Sequence, residues 1–311
     1  MRPPEASTTS LPLVGPAVRS EGVPELVVIS GKGGTGKTSL VASFAVLEPD
    51  LLVADCDVDA ADLHLVLAPE IRARHAFRSG HEAVVRSDDC DGCSLCSALC
   101  RFGAVTFDGF TAEIDPLACE GCGLCVELCP IRAIDFVERR CGEWYISRTP
   151  HGGMVHARLD IGAENSGKLV STVRDQARRF AADDGRRGIL VDGPPGVGCP
   201  VIASITGAAG VLVVTEPTVS GAHDMERVLE LADHFDAMTA VCVNRWDLNP
   251  EAADRIEDHA RRHGASLVGR VRYDREVTRA QIQGRPVTEL GGGAADDIRA
   301  VWRRVRRWLG W

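Results

Sequence analysis

Eight consecutive residues, Gly31-Lys32-Gly33-Gly34-Thr35-Gly36-Lys37-Thr38, constrain this chain more than any other stretch. They fit the pattern G-x-x-x-x-G-K-S/T, a loop that works only between a strand and a helix. Both flanks comply. Glu25-Leu26-Val27-Val28-Ile29-Ser30 reads as a short apolar, β-branched strand. Ser39-Leu40-Val41-Ala42-Ser43-Phe44-Ala45-Val46-Leu47 continues with helical spacing. Glycines let the loop curl so that several N–H groups point at phosphate oxygens. The helix N-terminus adds its partial positive charge. Lys37 is placed to reach the β- and γ-phosphates, and the Thr38 hydroxyl to ligate Mg²⁺. The residues from Gly31 through Ser39 are thus the first candidates for nucleotide binding. A Gly-rich strand–helix turn without function is the bland reading, and the agreement of strand, loop and helix argues against it.

Lys32 is not required by the general motif. A second lysine inside the loop marks the deviant Walker A group, and here the chain resembles the MinD/ParA/Mrp superfamily of ATPases. The resemblance implies that Lys32 reaches across an ATP-sandwich homodimer to the partner's phosphates. It also implies slow or partner-stimulated, Mg²⁺-dependent ATP hydrolysis, with Lys32 and Lys37 as catalytic residues.

Length and composition bound the rest. The 311 residues suffice for one large or two modest domains. Apolar content of 45% and charged content of 25% indicate a globular protein. Aromatics at 5% are too sparse for a single-strand stacking platform, and a net charge of −9 gives no overall attraction to nucleic acid. No apolar run approaches a membrane span. Residues 1–24 lack the charge and apolar core of a signal peptide and read as a mobile tail, so the expected location is the cytoplasm.

Leu51-Leu52-Val53-Ala54 is a buried-strand pattern ending in Asp55-Cys56-Asp57. An acid at the end of a parallel strand faces the nucleotide crevice. By resemblance this is switch I, with Asp57 orienting the attacking water and Asp55 supporting the Mg²⁺ shell. Residues 58–65 are expected to start a short helix, and Asp59 and Asp62 are simple N-terminal helix acids. Gly188-Ile189-Leu190-Val191-Asp192 is a second strand ending in an acid, a Walker B arrangement in which Asp192 binds Mg²⁺ through water. Pro194-Pro195-Gly196 then forms a stiff turn, the expected switch II.

Between about residues 81 and 140 the texture changes. Cys90, Cys93, Cys96 and Cys100 form one C-x-x-C-x-x-C-x-x-x-C run, and Cys119, Cys122, Cys125 and Cys129 form another. Pro130 completes the second as a bacterial ferredoxin run, whereas Arg101 stands where the first would carry proline. Three thiolates of a run hold a cubane and the fourth comes from the other run. One 4Fe–4S cluster is therefore assigned to Cys90, Cys93, Cys96 and Cys129. The other is assigned to Cys100, Cys119, Cys122 and Cys125. Zinc prefers two separated C-x-x-C pairs, and disulfides suit secreted chains. Asp91-Gly92 and Glu120-Gly121 occupy equivalent places, marking an internal repeat. The insert is acidic, with Arg101 and Arg132 as its balancing charges. That makes it either a solvated surface or a docking face for a basic redox partner.

Further along, residues 155–159 alternate like a strand, and Leu169, Val170, Val173 and Ala177 recur at helical spacing. The segment from Ile161 to Lys168 resembles the ferredoxin-containing branch of the MinD group. Cys56, Cys141, Cys199 and Cys242 read as small buried apolar residues. Asn244, at a strand end, falls where the family reads the adenine edge, or else caps a turn. Arg272 stands where the family has proline, before Tyr273-Asp274. Residues 296–311 form a basic amphipathic helix. Trp308 and Trp311 would suit a membrane interface, but packing against the sheet is favoured.

Together these features predict an α/β, doubly wound, mostly parallel P-loop domain in two parts (25–80 and 141–311), interrupted by a ferredoxin-like α+β domain at 81–140. The leading reading is an ATPase that couples nucleotide state to electron transfer through two 4Fe–4S clusters, by analogy with nitrogenase iron protein and with a redox or iron–sulfur protein as partner. The alternatives are an Mrp-type cluster carrier and a MinD-like membrane-positioning ATPase.

Overall fold

The computed structural model describes residues 22–311. The chain opens with β1 (Glu25–Ser30), α1 (Lys37–Leu47), β2 (Leu51–Asp55), α2 (Leu63–Leu67) and the long β3 (Glu70–Val85). Next come α3 (Leu95–Leu99), β4 (Val105–Phe107), β5 (Ala112–Ile114), α4 (Leu124–Leu128) and the long β6 (Ile134–Thr149). They are followed by β7 (Gly152–Leu159), α5 (Ser166–Asp183), β8 (Gly188–Pro195), α6 (Cys199–Ile205), β9 (Gly210–Thr215) and α7 (Val219–His234). The chain closes with β10 (Thr239–Asn244), α8 (Pro250–Arg262), β11 (Ser266–Val271), α9 (Arg275–Ile282), α10 (Val287–Leu290) and α11 (Gly293–Leu309).

Nine strands form one sheet in the order β11-β10-β9-β1-β8-β2-β7-β6-β3. The pairings from β11 through β7 are parallel, and β6 and β3 add an antiparallel edge. Parallel strands buried on both faces read as continuous apolar runs, which is how β1, β2 and β8 were legible. Successive side chains point to opposite faces. Val27 and Ile29 pack under α5, α6, α7 and α8, while Leu26 and Val28 pack under α1, α10 and α11. The mostly parallel α/β P-loop fold is the one expected.

The final helix resolves the choice left by its amphipathic pattern. Ile298, Val301, Trp302 and Val305 of α11 are buried, and Trp302 stacks on Phe44 of α1 at 4.7 Å between centroids. Trp308 and Trp311 also pack against this core. Among the described residues no helix is long and apolar enough to cross a membrane.

Most of the expected tail lies outside the described residues. Val23 and Pro24 do not belong to a tail: Val23 packs on the core and the Pro24 carbonyl accepts from Ile189 N at 2.9 Å. The helix expected from residue 58 begins only at Leu63, because Asp57–Ala60 forms a turn first, and Asp59 and Asp62 are exposed.

The two cysteine runs sit in a small α+β lobe carried by β3 and β6. Residues 80 and 140 fall inside these strands, so a continuous ribbon joins the lobe to the sheet. The register of that ribbon is interrupted between Phe77 and His81, where Gly80 has φ +71° and the Cys141 thiol meets the Ser79 carbonyl at 3.2 Å. Such a bulge bends and twists a ribbon locally.

Candidate functional site

The register of β8 brings the acids together. Asp192 pairs opposite Asp55 of β2 and opposite Val28 of β1, so both carboxylates lie beside the loop that leaves β1. Lys37, in the first turn of α1, reaches back between them. Its ammonium donates to Asp192 Oδ1 at 3.0 Å and to Asp57 Oδ2 at 3.1 Å. Asp55 Oδ1 accepts from the Asp57 N–H at 3.2 Å. Three buried atoms beside this cluster have no partner: Asp55 Oδ2, Asp192 Oδ2 and the Thr35 hydroxyl. Unpaired buried oxygens of this kind suit a hard cation with oxygen ligands, so the residues fit Mg²⁺.

Burial depresses the Lys37 pKa, but the charges of Asp192 and Asp57 outweigh it and hold the ammonium above its ordinary range. Asp55 is raised well above the usual carboxylate range, first by burial and then by the charge of Asp192. Burial also raises Asp57, against the opposing pull of Lys37. The pocket thus concentrates negative charge that a cation would relieve.

A cavity of about 480 Å³ runs over the loop, lined by Gly33 through Leu40, Asp57, Asn244, Tyr273, Asp274 and Gln281 among others. That volume is within the range of small-molecule and cofactor sites. Asn244 is buried and donates to the Thr35 carbonyl at 2.7 Å, while its own Oδ1 accepts from Arg245 N at 3.0 Å. It braces the loop from the β10 end. Gly36 has φ +89°, and a Cβ there would lie 2.3 Å from the Asn244 amide nitrogen, so the glycine is required twice over. Arg272 also lines the cavity, with its guanidinium in a bidentate pair with Asp297 of α11 at 2.7 and 2.8 Å. Tyr273 is the aromatic ring left lining the cavity. Sequence reasoning did not single out Tyr273 or Gln281, and only their place just after the last strand signals them.

Lys32 does not point into the cavity. It pairs with Glu216 Oε1 at 2.6 Å and donates to the Ser220 hydroxyl at 2.9 Å. Pro194 and Pro195 continue β8 rather than turning, and the turn falls at Gly196, where φ is +95°. Cys56, Cys141 and Cys242 are buried as expected, but Cys199 is exposed. It begins α6, close to Gly167 at the start of α5.

None of the twelve cysteines is joined to another as a disulfide. In the lobe, α3 and α4 have equal lengths at the same offset in each run. Gly92 and Gly121 both have positive φ, as do Ser94 and Gly123, so the internal repeat extends to the backbone. A second, much smaller cavity is lined by Cys90, Cys93, Cys96, Cys129 and Pro130. Cys100, Cys119 and Cys125 share the lobe's core with Cys96 and Cys129, and Cys122 is exposed. The Cys129 sulfur accepts from Ala133 N at 3.3 Å, the N–H-to-sulfur contact that tunes cluster ligands. Burial raises the Cys96 and Cys125 thiols, and in each case neighbouring cysteines of the same run add to it. The donor set fits iron–sulfur groups held by thiolates. The acidic balance differs from expectation: Arg86 ties together Asp89, Asp135 and the Arg132 carbonyl, so part of the lobe's charge is already neutralised.

A mostly parallel sheet, a glycine loop closed by Lys37 and a carboxylate cluster at the strand ends define a P-loop ATPase of the MinD/ParA superfamily. The chain belongs to the CobQ/CobB/MinD/ParA nucleotide binding domain family, CbiA, whose model matches residues 26–287. Among curated proteins it is 32% identical over 229 residues to the uncharacterized protein MJ0578 of Methanocaldococcus jannaschii, covering 72% of this chain and 79% of that one. It is 22% identical to MJ0579 of the same organism over 92% of this chain and 97% of the relative. Among solved structures it is similar to the septum site-determining protein MinD of Pyrococcus horikoshii complexed with Mg-ADP, with TM-score 0.56 and 18% identity, covering 92% and 97% of the two chains. It is also similar to a single-site variant of Cyanothece McdA in complex with ATP, with TM-score 0.56 and 16% identity over 93% and 97%. These structures share the fold.

Proposed function

We propose that this protein binds and hydrolyses ATP with Mg²⁺ and couples nucleotide state to electron transfer through two 4Fe–4S clusters. The observation that carries the second half is the small cavity lined by Cys90, Cys93, Cys96 and Cys129, because these four cysteines come from both runs. That crossed set is the one two-cluster ferredoxins use. In this reading Cys100, Cys119, Cys122 and Cys125 hold the other cluster.

At the nucleotide site, Thr38, Asp55 and Asp192 would hold Mg²⁺, which would supply charge neutralisation to the bound phosphates. Lys37 turns from Asp57 and Asp192 to the phosphates. Asp57, so released, orients the attacking water. Asn244 keeps the loop in shape, and Tyr273 offers a face to the base. Lys32 leaves Glu216 to complete the site of a second subunit.

Coupling has a physical route in this reading. Gly167, at the start of α5, packs so closely on Cys199 that a Cβ would stand 3.3 Å from the Cys199 backbone. At the other end of the same segment, a Cβ on Gly162 would stand 3.7 Å from Leu117, two residues before Cys119. Residues 162–167 therefore run from the neighbourhood of Leu117 in the cysteine lobe to Cys199 in the segment after Asp192. A shift of the first on hydrolysis would be felt by the second.

Anaerobic purification with iron and sulfide analysis, followed by EPR with and without ATP, tests the proposal. The expected result is two cubanes per chain whose reduced spectrum changes with nucleotide. Zinc in place of iron, or a spectrum indifferent to ATP, overturns it. A MinD-like positioning ATPase fits the solved neighbours equally well. The cysteine runs favour the redox reading over it, as does the burial of the apolar face of α11.

A further inference from the structure

We propose that Glu226, His259 and His263 form a binding site for a divalent first-row transition ion of the kind imidazole prefers, such as Zn²⁺. The site is separate from the nucleotide cavity and from the cysteine lobe.

His259 and His263 stand four residues apart, at the end of α8 and just beyond it, so one face of the helix carries both rings. The rings stack with centroids 4.9 Å apart. Glu226 comes from the adjacent helix α7. His259 Nε2 lies 3.2 Å from Glu226 Oε1 and 3.1 Å from His263 Nε2, and His263 Nε2 lies 3.9 Å from the same carboxylate oxygen. A triangle with sides of 3.1, 3.2 and 3.9 Å has a circumradius of about 2.0 Å. One point is therefore about 2.0 Å from all three donor atoms, the distance at which zinc holds imidazole nitrogen and carboxylate oxygen (about 2.0–2.2 Å).

The chemistry agrees with the geometry. Two ring nitrogens and a carboxylate oxygen that converge on one point are three acceptors unless a proton or a cation lies between them. Two imidazoles and one carboxylate suit zinc or nickel better than Mg²⁺ or Ca²⁺, which prefer oxygen. The Arg262 guanidinium lies 3.4 Å from His259 Nδ1. It must swing aside so that Nδ1 carries the proton while Nε2 binds metal, and Arg262 is exposed and free to do so. His263 is exposed, leaving the fourth position open to water. The ion would fasten α7 to α8. These helices follow β9 and β10, the strands that deliver Glu216 and Asn244 to the loop.

The test is calorimetric titration of the anaerobically isolated full-length protein with Zn²⁺. The wild type should take up one equivalent more than the His259→Ala/His263→Ala variant. Glu226→Gln should bind that equivalent more weakly. With Co²⁺ as probe, the equivalent lost in the double variant should lack the thiolate charge-transfer absorption that cysteine ligation produces. Equal uptake by wild type and double variant, an unchanged affinity in Glu226→Gln, or a thiolate signature on the differing equivalent would overturn the proposal.

Discussion

The Lys32 ammonium lies 2.6 Å from Glu216 Oε1 of its own chain, and Arg245 shares that carboxylate from 3.2 Å. The second lysine of the loop is thus held in cis. Both side chains are partly exposed, so the pair contributes about 0–1 kcal/mol. If Lys32 of each subunit must leave its Glu216 to reach the partner's phosphates, the pair is lost twice per dimer, so Glu216→Gln should tighten ATP-dependent dimerisation by up to about 30-fold. Lys32→Ala should abolish it. Sedimentation of the ATP-bound protein measures both, and unchanged dimerisation in Lys32→Ala would remove the sandwich assignment.

Lys37 carries two roles that one substitution separates from the lobe. Lys37→Ala should end ATP hydrolysis. It also strips the cation from Asp192, which is only 1% exposed, so stability should fall by about 3–5 kcal/mol. The brown chromophore expected of the lobe should stay. Turnover, thermal unfolding and visible absorbance decide this together, and loss of iron in Lys37→Ala would mean that the two parts are not separable.

Cys93 and Cys129 stand 36 residues apart in sequence yet line one cavity. Cys93→Ala and Cys129→Ala should therefore each lose roughly half the iron and the same cluster signal. Cys122→Ala should lose the other. Nucleotide binding should survive in all three. Different EPR signals missing in Cys93→Ala and Cys129→Ala would refute the crossed ligand set.

His156 faces Ser147 at 2.8 Å and stacks on Tyr145, with little solvent contact. Burial, with a smaller contribution from the charge of His64, lowers its pKa to about 4. The unfolded state then binds more protons between pH 4 and about 6.5, so the neutral ring's contribution is present above that window and is lost as pH falls through it. The shift corresponds to about 3 kcal/mol. In denaturant titrations from pH 7 to pH 4, His156→Gln should show a shallower loss of stability than wild type. Parallel curves would show that another group governs the acid limb. Asp55, whose raised pKa acts in the opposite direction, is common to both proteins and cancels in the comparison.

Much of the nucleotide site was legible because its parts are local. A phosphate loop needs its glycines and lysine within one turn, and Asp55 and Asp192 end apolar runs that could only be buried parallel strands. The cysteine runs were legible for the same reason. Less was visible where the meaning of a residue depends on a remote one. Nothing in the local sequence marks Arg174 of α5, yet it is buried and donates to Glu25 at 2.7 Å and to the Ala203 and Thr206 carbonyls. Cys199 was expected to be buried because most small cysteines are, but it is exposed at the start of α6. For Asn244 the sequence left open a contact to the base or a turn at the strand end, and the fold adds a bond from its amide to the Thr35 carbonyl, 209 residues away.

What this sequence determined by itself is a set of short-range instructions: a loop shaped for phosphate, strands that end in acids, and two matching thiol runs. Each rests on neighbours within a few positions, where backbone geometry dictates which atoms meet. Only the tertiary structure decided that Lys37 lies between Asp57 and Asp192, that Lys32 is held by Glu216, and that Glu226 meets two histidines of the next helix. Those contacts depend on how two layers of helices settle on a twisted sheet, which is governed by the packing of the whole core and not by any single stretch of chain.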